Sequence, residues 1–299
     1  MARRGLWTGL RLQQISDRLE ELGILVCPNT VRRLLEELDY ALHANRKSLS
    51  GPQNPERDRQ FRYLQGQRRE FTRQALPIIS VDTKKKELVG PFKNAGRIWS
   101  REALPVNDHD FRSQAQGMAI PRGLYDLTAN RGSVVVGTSH DTPEFAVDAI
   151  ADWWRAQGRR HYATASELLI LADSGGSNGA RCRLWKLALQ EKLADRFQLT
   201  VTVCHYPTGA SKWNPIEHRL FSEISKHWAG RPLSDYATIV RLIGETKTQT
   251  GLKVNCALST KFYPTSVKVS AEQMTGLDLI KHPILPEWNY TLLPRANRN

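Results

Sequence analysis

Val201-Thr-Val-Cys-His-Tyr-Pro-Thr-Gly-Ala-Ser-Lys-Trp-Asn-Pro-Ile-Glu-His-Arg-Leu-Phe-Ser-Glu-Ile224 reads as a strand, a tight loop and a helix. Asn214 suits an N-cap and Pro215 the first helical position, so Glu217 falls in the first turn. From Glu217, Phe221, Ile224 and Trp228 follow at spacings of four, three and four, which puts the carboxylate on the apolar face. A capping box between Asn214 and Glu217 is one explanation. The other requires further acids at corresponding places upstream.

Two such acids exist. The β-branched run Ala75-Leu-Pro-Ile-Ile-Ser-Val81 reads as a buried strand ending at Asp82, and Lys84, Lys85 and Lys86 mark an exposed turn after it. Strands are expected around residues 123–128 and 133–138, joined by the hairpin turn Ala129-Asn-Arg-Gly132. A helix from Thr142 to about Gln157 carries Phe145, Ala149 and Trp153 on one face. The continuous apolar run Glu167-Leu-Leu-Ile-Leu-Ala172 predicts a strand covered on both faces, ending at Asp173. A helix over 181–196, a strand over 199–204 and the helix from Pro215 complete the order.

Three antiparallel strands, helix, strand, helix, strand, helix is the order of an α/β ribonuclease-H-like fold, a mixed sheet flanked by helices. In that sheet the first and fourth strands are neighbours, so Asp82 and Asp173 meet and Glu217 joins them from the last helix. Three convergent carboxylates repel one another unless a cation binds or their pKa values rise. Oxygen donors favour Mg²⁺ or Mn²⁺, and two such ions suit in-line phosphoryl displacement, with Asp82 bridging and Asp173 and Glu217 taking one ion each. Taken singly, Asp82 can start a turn and Asp173 can cap a loop. His205, His218 and Lys212 lie close in sequence to the third acid and are candidate contacts to the scissile phosphate, with surface or core roles as the alternatives.

Upstream, residues 10–42 predict two helices, the first with Leu12, Ile15, Leu19 and Leu22 at helical spacing and a stop at Gly23, the second with Val31, Leu34, Leu35 and Leu38. A helix-turn-helix would present Thr30, Arg32 and Arg33 to the major groove; a plain helical hairpin with a solvated Arg/Glu face fits the same spacing. The domain reading is a helix-turn-helix region over 1–50, a basic linker helix over 51–74 and a catalytic domain over 75–299. The linker signal is Ser48-Leu-Ser-Gly-Pro-Gln-Asn-Pro55, with the boundary near Gly51.

The 299 residues are 40% hydrophobic, enough for a substantial core. A net charge of +13 and a pI near 9.8 favour a polyanionic partner through counterion release. Cys27, Cys182, Cys204 and Cys256 form no CxxC pair, which argues against a zinc site or disulfide framework and points to buried thiols. No run approaches the roughly 20 apolar residues of a membrane span. The expectation is a soluble, intracellular protein.

The runs Ser80-Val-Asp-Thr-Lys-Lys-Lys-Glu-Leu-Val-Gly90, Leu171-Ala-Asp-Ser-Gly-Gly-Ser-Asn-Gly179 and Ser211-Lys-Trp-Asn-Pro-Ile-Glu-His-Arg-Leu-Phe221, with Glu-Trp-Asn-Tyr290, resemble the DDE transposases of bacterial insertion sequences, specifically the ISAzo group related to the Tc/mariner superfamily. The resemblance implies a triad of Asp82, Asp173 and Glu217, Mg²⁺ dependence, cleavage at transposon ends and attack of the freed 3′-hydroxyl on target DNA. It further implies that the helix-turn-helix binds terminal inverted repeats in double-stranded DNA and that the protein acts as a homo-oligomer in the bacterial cytoplasm, associated with the nucleoid. Pro215 stands where Lys is expected in this group. Members also carry another helical DNA-binding segment upstream, so a truncated copy is expected here. Two alternatives remain: a non-catalytic DNA-binding derivative, and a nuclease of the same fold.

Overall fold

The computed structural model describes residues 9–42 and 56–296. The chain divides into two compact units, Met1–Gln53 and Asn54–Asn299. The expected linker, residues 48–55, lies outside the described residues.

In the first unit, α1 (Leu12–Glu21) packs on α2 (Pro28–Glu37). Gly23 ends the first helix with φ +79°, a left-handed conformation that glycine adopts without a Cβ penalty. Pro28 opens the second helix, two residues before Thr30. The hydroxyl of Ser16 donates to the Val26 carbonyl and fixes the turn. Val31 is buried between the helices, whereas Arg32 and Arg33 are exposed.

The second unit is built on a single sheet. Its strands are β1 (Ile78–Thr83), β2 (Glu87–Val89), β3 (Gly117–Asp126), β4 (Arg131–Gly137), β5 (Glu167–Asp173), β6 (Thr200–Tyr206), β7 (Lys253–Ser259), β8 (Leu279–Lys281) and β9 (Asn289–Leu292). The spatial order is β7-β4-β3-β1-β5-β6-β9-β8, with β2 paired to β3. The centre, β4-β3-β1-β5-β6, is antiparallel on one side of β1 and parallel on the other, the ribonuclease-H-like arrangement. The short β2 and the outer strands β7, β9 and β8, the first and last of which form the edges, go beyond the strands expected from sequence.

Alternation along the strands explains why both faces are covered. On one face Ile79, Val81, Leu168, Ile170, Val201 and Val203 pack with α4 (Pro143–Trp153) and α6 (Arg183–Leu189), through residues such as Ile150 and Trp185. Thr142 caps α4 by accepting from the Phe145 amide, as its position predicts. A single helical turn, α5 (Arg159–His161), follows. On the other face Ile78, Leu169, Leu171 and Cys204 meet Leu64 and Phe71 of α3 (Arg57–Arg73). Residues read as a linker helix are therefore docked on the sheet, with buried Gln60 exchanging hydrogen bonds with Asn289 at 2.8 and 2.7 Å.

A third cluster joins Tyr125, Val134 and Val136 to Ile216, Leu220, Phe221, Ile224 and Trp228. These last residues belong to the helix expected from Pro215, which widens into a π-helical turn at Glu217–Phe221 and continues as α7 (Ser222–His227). The helix α8 (Tyr236–Gly244) completes this cluster, and α9 (Ala271–Thr275) leads to the last strands. Of the four thiols only Cys204 is buried, and Cys27 is exposed, so the expectation of buried cysteines holds for one.

Candidate active site

Strand pairing does most of the positioning. Because β1 and β5 run parallel with Val81 opposite Ala172, Asp82 and Asp173 follow at adjoining strand ends. The loop after β6 contributes Asn214, which is fully buried. Its side chain is not the helix cap the sequence implies. Asn214 Nδ2 donates to Asp173 Oδ1 at 3.1 Å, its Oδ1 accepts from the Ser80 hydroxyl, and Ser80 Oγ accepts from the Ile216 amide at 3.2 Å. One amide thus ties the ends of β1 and β5 to the start of the Glu217 helix.

The three acids feel one another. Burial raises the Asp82 carboxyl to about 6, and the neighbouring Asp173 charge adds to the rise. Asp173 is also raised, first by burial and then by Glu217, against the Asn214 hydrogen bond that favours its charged form. Glu217 is raised by burial and by Asp82. Each member of the set therefore resists ionisation partly because of another member.

Arg122 on β3 is the internal counter-charge, and it is fully buried. Its Nη1 donates to Thr83 Oγ1 and Ser177 Oγ at 3.1 Å and to Asn178 Oδ1 at 3.0 Å. Those acceptors lie on the Asp82 strand and the Asp173 loop, so one nitrogen links both. Nε and Nη2 have no hydrogen-bond partner among the described residues. Thr83 Oγ1 passes the chain on to Asp141 Oδ1 at 3.1 Å, and Asp141 is a fourth carboxylate that raises Asp82. Lys84 departs from the exposed turn expected of it: it is 8% exposed, its ammonium lies 4.4 Å from the Trp228 ring centroid, and Glu87 is 3.4 Å away.

The candidate phosphate contacts part company here. His205 is fully buried, with Nδ1 2.9 Å from the Asp173 carbonyl oxygen and Nε2 3.5 Å from the Tyr290 hydroxyl. Burial lowers its pKa to about 4, so it is a neutral interior group and cannot contact DNA. His218 and Lys212 are exposed, and His218 Nε2 is hydrogen-bonded to the Lys212 carbonyl. Lys212 Nζ stacks 4.2 Å over the Trp213 ring. In the first unit, Thr30 Oγ1 lies 3.3 Å from Cys27 Sγ, and Arg33 pairs loosely with Glu37 at 3.5 Å.

Among the described residues, no group of three or more His, Cys, Asp or Glu side chains is gathered tightly enough to hold a metal ion as placed. The chemistry of the donors still fits a hard divalent cation: three half-buried carboxylates, all raised in pKa, against one buried guanidinium.

A family model described as the Rhodopirellula transposase DDE domain, of the ISAZ013 type, matches residues 2–294. The chain belongs to this transposase DDE family. The match agrees with the resemblance read from the three acid-bearing runs. No curated protein matches the chain. Among solved structures, the Mos1 transposase paired-end complex with left transposon end is 14% identical, with a TM-score of 0.47 over 79% of this chain and 66% of that one. The Mos1 strand transfer complex is 13% identical, with a TM-score of 0.46 over 82% and 73%. The Mos1 mariner paired end complex with Mn is 13% identical, with a TM-score of 0.45 over 79% and 66%. The chain thus spans about two thirds of the length of the Mos1 chains it aligns with. The fold of this DDE family member rests on its own strand order.

Several residues that build the site escape a reading by motif. Arg122 has a visible signal, a lone charge inside the apolar stretch Met118-Ala-Ile-Pro-Arg-Gly-Leu-Tyr125. Asp141 has none, and Asn214 reads only as a cap, because the fold alone brings their side chains to Asp82 and Asp173. The Glu-Trp-Asn-Tyr290 run proves to be support: the Trp288 carbonyl accepts from the His205 amide at 3.0 Å, and Tyr290 accepts from Trp185 Nε1 at 2.9 Å.

Proposed function

We propose that the chain is a transposase that cleaves DNA at transposon ends in a divalent-metal-dependent reaction and joins the freed 3′-hydroxyl to target DNA. The observation that carries this reading is the mutual coupling of Asp82, Asp173 and Glu217, drawn from two adjoining strand ends and the helix after β6, in a chain of the transposase DDE family.

Asp82, Asp173 and Glu217 would hold two Mg²⁺ or Mn²⁺ ions, which supply charge stabilisation at the phosphorus and an activated attacking oxygen. The protein's own residues prepare the site. Asn214 orients one oxygen of Asp173, Arg122 fixes the Asp82 strand against the Asp173 loop, and the packed Phe221 and Ile216 hold the Glu217 helix on the sheet. Lys212 and His218, exposed and close in sequence to Glu217, are the proposed contacts to phosphate oxygens, which their exposure allows.

In the domain reading, residues 1–50 are the repeat reader, with Thr30, Arg32 and Arg33 toward the bases. Residues 75–299 carry the chemistry, and copies of the chain pair on double-stranded DNA at the nucleoid. Labelled DNA bearing the element's ends, incubated with target DNA and Mg²⁺, should yield nicked ends and joined product, both abolished by EDTA. Metal-dependent nicks with no joined product would identify a nuclease instead, and binding without nicking a non-catalytic derivative.

A further inference from the structure

The outer face of α3 carries a charge pattern that the acid centre does not use. Leu64, Phe71 and Gln60 face the sheet. Arg62, Arg69 and Arg73 are exposed on the opposite side, and Arg68, also exposed, flanks the sheet-facing stripe four residues after Leu64, near Tyr206. Arg73 is paired with Glu70 at 2.6 Å, but Arg62, Arg68 and Arg69 form no ion pair among the described residues. Leaving three exposed guanidinium groups without an ion pair on one helix raises local positive potential for no gain in fold stability.

Gly66 lies in the middle of this face. A glycine inside a helix costs about 1 kcal/mol relative to alanine. Packing does not explain it, since a Cβ at this position would meet no atom within 4 Å. Arg62, Gly66, Arg69 and Arg73 succeed one another at spacings of four, three and four, so the bare position lies between the arginines along one stripe. Beside the stripe, Gln65, Arg68, Arg69, Thr72 and Arg73 line an open groove of about 450 Å³.

At its N-terminal end the helix reaches the acid centre's approach. Arg57 Cζ lies 4.4 Å over the Trp213 ring, Phe61 packs against the same ring at 5.7 Å, and Lys212 also stacks on it. Trp213 is 43% exposed and stands four residues before Glu217. Arg57 and Lys212 thus place two cations on Trp213, in the loop that leads to Glu217.

We infer that this face is a sequence-independent track for the phosphate backbone of duplex DNA, with Arg62, Arg68 and Arg69 as its phosphate contacts. The guanidinium fork suits phosphate oxygens, and the bare flank at Gly66 lets the backbone approach the helix closely. The inference rests on the transposase reading for its partner, and adds a second DNA surface in the unit that carries the acids.

The test uses the full chain, a labelled duplex of arbitrary sequence and EDTA to prevent cleavage, with anisotropy titrations over a range of salt. Each phosphate contact contributes about 0.9 to the slope of log K against log salt. The triple variant R62A/R68A/R69A should lose about 2–3 from that slope and at least ten-fold in affinity at low salt, with an unchanged melting temperature. R62K/R68K/R69K, which keeps the charges, should retain most of the slope. If the wild type binds and nicks DNA while the alanine variant shows the same slope and affinity, the track is overturned and the transposase reading stands. If the wild type binds no duplex, the transposase reading fails and the track with it.

Discussion

Gly123→Ala tests how closely the Glu217 helix is pressed on the sheet. Gly123 lies opposite Asp82 in the antiparallel register of β1 and β3. A Cβ added there would stand 2.8 Å from Phe221 Cζ and 3.0 Å from Ile216 Cδ1, and closer still to Phe221 Cε1. Carbon atoms in contact prefer about 3.5–4.0 Å, so the ring or the whole helix must retreat by roughly 1 Å. Phe221 is 3% exposed and Ile216 fully buried, which leaves the ring no open side. Overpacking of this kind costs about 1–3 kcal/mol, offset by about 0.5–1 kcal/mol for replacing glycine in a strand. The loss in chemistry should be larger, since roughly 1 Å of misplacement can cost about 100-fold in rate. Urea denaturation and single-turnover nicking check the two numbers. Gly123→Ala with Phe221→Leu, which returns space to the site, should recover part of the rate. Full nicking activity in the single variant would refute the claim that this contact positions Glu217.

Further outcomes follow from the charges. The Asp82 carboxyl is held near 6 in the folded chain against 3.8 ordinarily, so its ionised form opposes folding above pH 6 and the penalty vanishes below about pH 4. Asp82→Asn should therefore stabilise the metal-free protein by up to about 3 kcal/mol at pH 7.5 and leave it unchanged at pH 4, as measured by urea denaturation in EDTA. His205 has the opposite bearing: its pKa near 4 in the fold against 6.5 unfolded means that stability is lost as pH falls from 6.5 toward 4. His205→Asn should remove up to about 3 kcal/mol of that acid dependence, and an equally steep acid limb in the variant would show that His205 is not its source. Arg32→Ala with Arg33→Ala should weaken binding to repeat DNA and lower its salt slope by about 1–2; unaltered affinity would mean that α2 is not the reader.

The apolar runs carried the fold a long way. The runs Ala75–Val81 and Glu167–Ala172 read as strands because they are short and apolar, and strands formed there with the acids at their ends and successive side chains packed on two covered faces. What was not legible depends on contacts distant along the chain. Pro121 conceals the first half of β3, which is stabilised by β2 and β4 pairing rather than by local propensity. Asn214 has the composition of a cap, yet tertiary partners claim its side chain. His205 looks like a polar residue beside a functional loop, but it points inward because it occupies a position in a strand covered on both sides. Lys84 is one of three consecutive lysines, and only its position against Trp228 distinguishes it from the solvated pair beyond.

The most direct measurement of the central claim is nicking of end-bearing DNA in Mg²⁺ or Mn²⁺ by Asp82→Asn, Asp173→Asn and Glu217→Gln, each beside the wild type, with binding followed in parallel in EDTA. The account predicts nicking by the wild type alone, and near-wild-type DNA affinity in all four proteins. Metal-dependent nicking retained by any one of the variants would contradict a centre built on these three carboxylates.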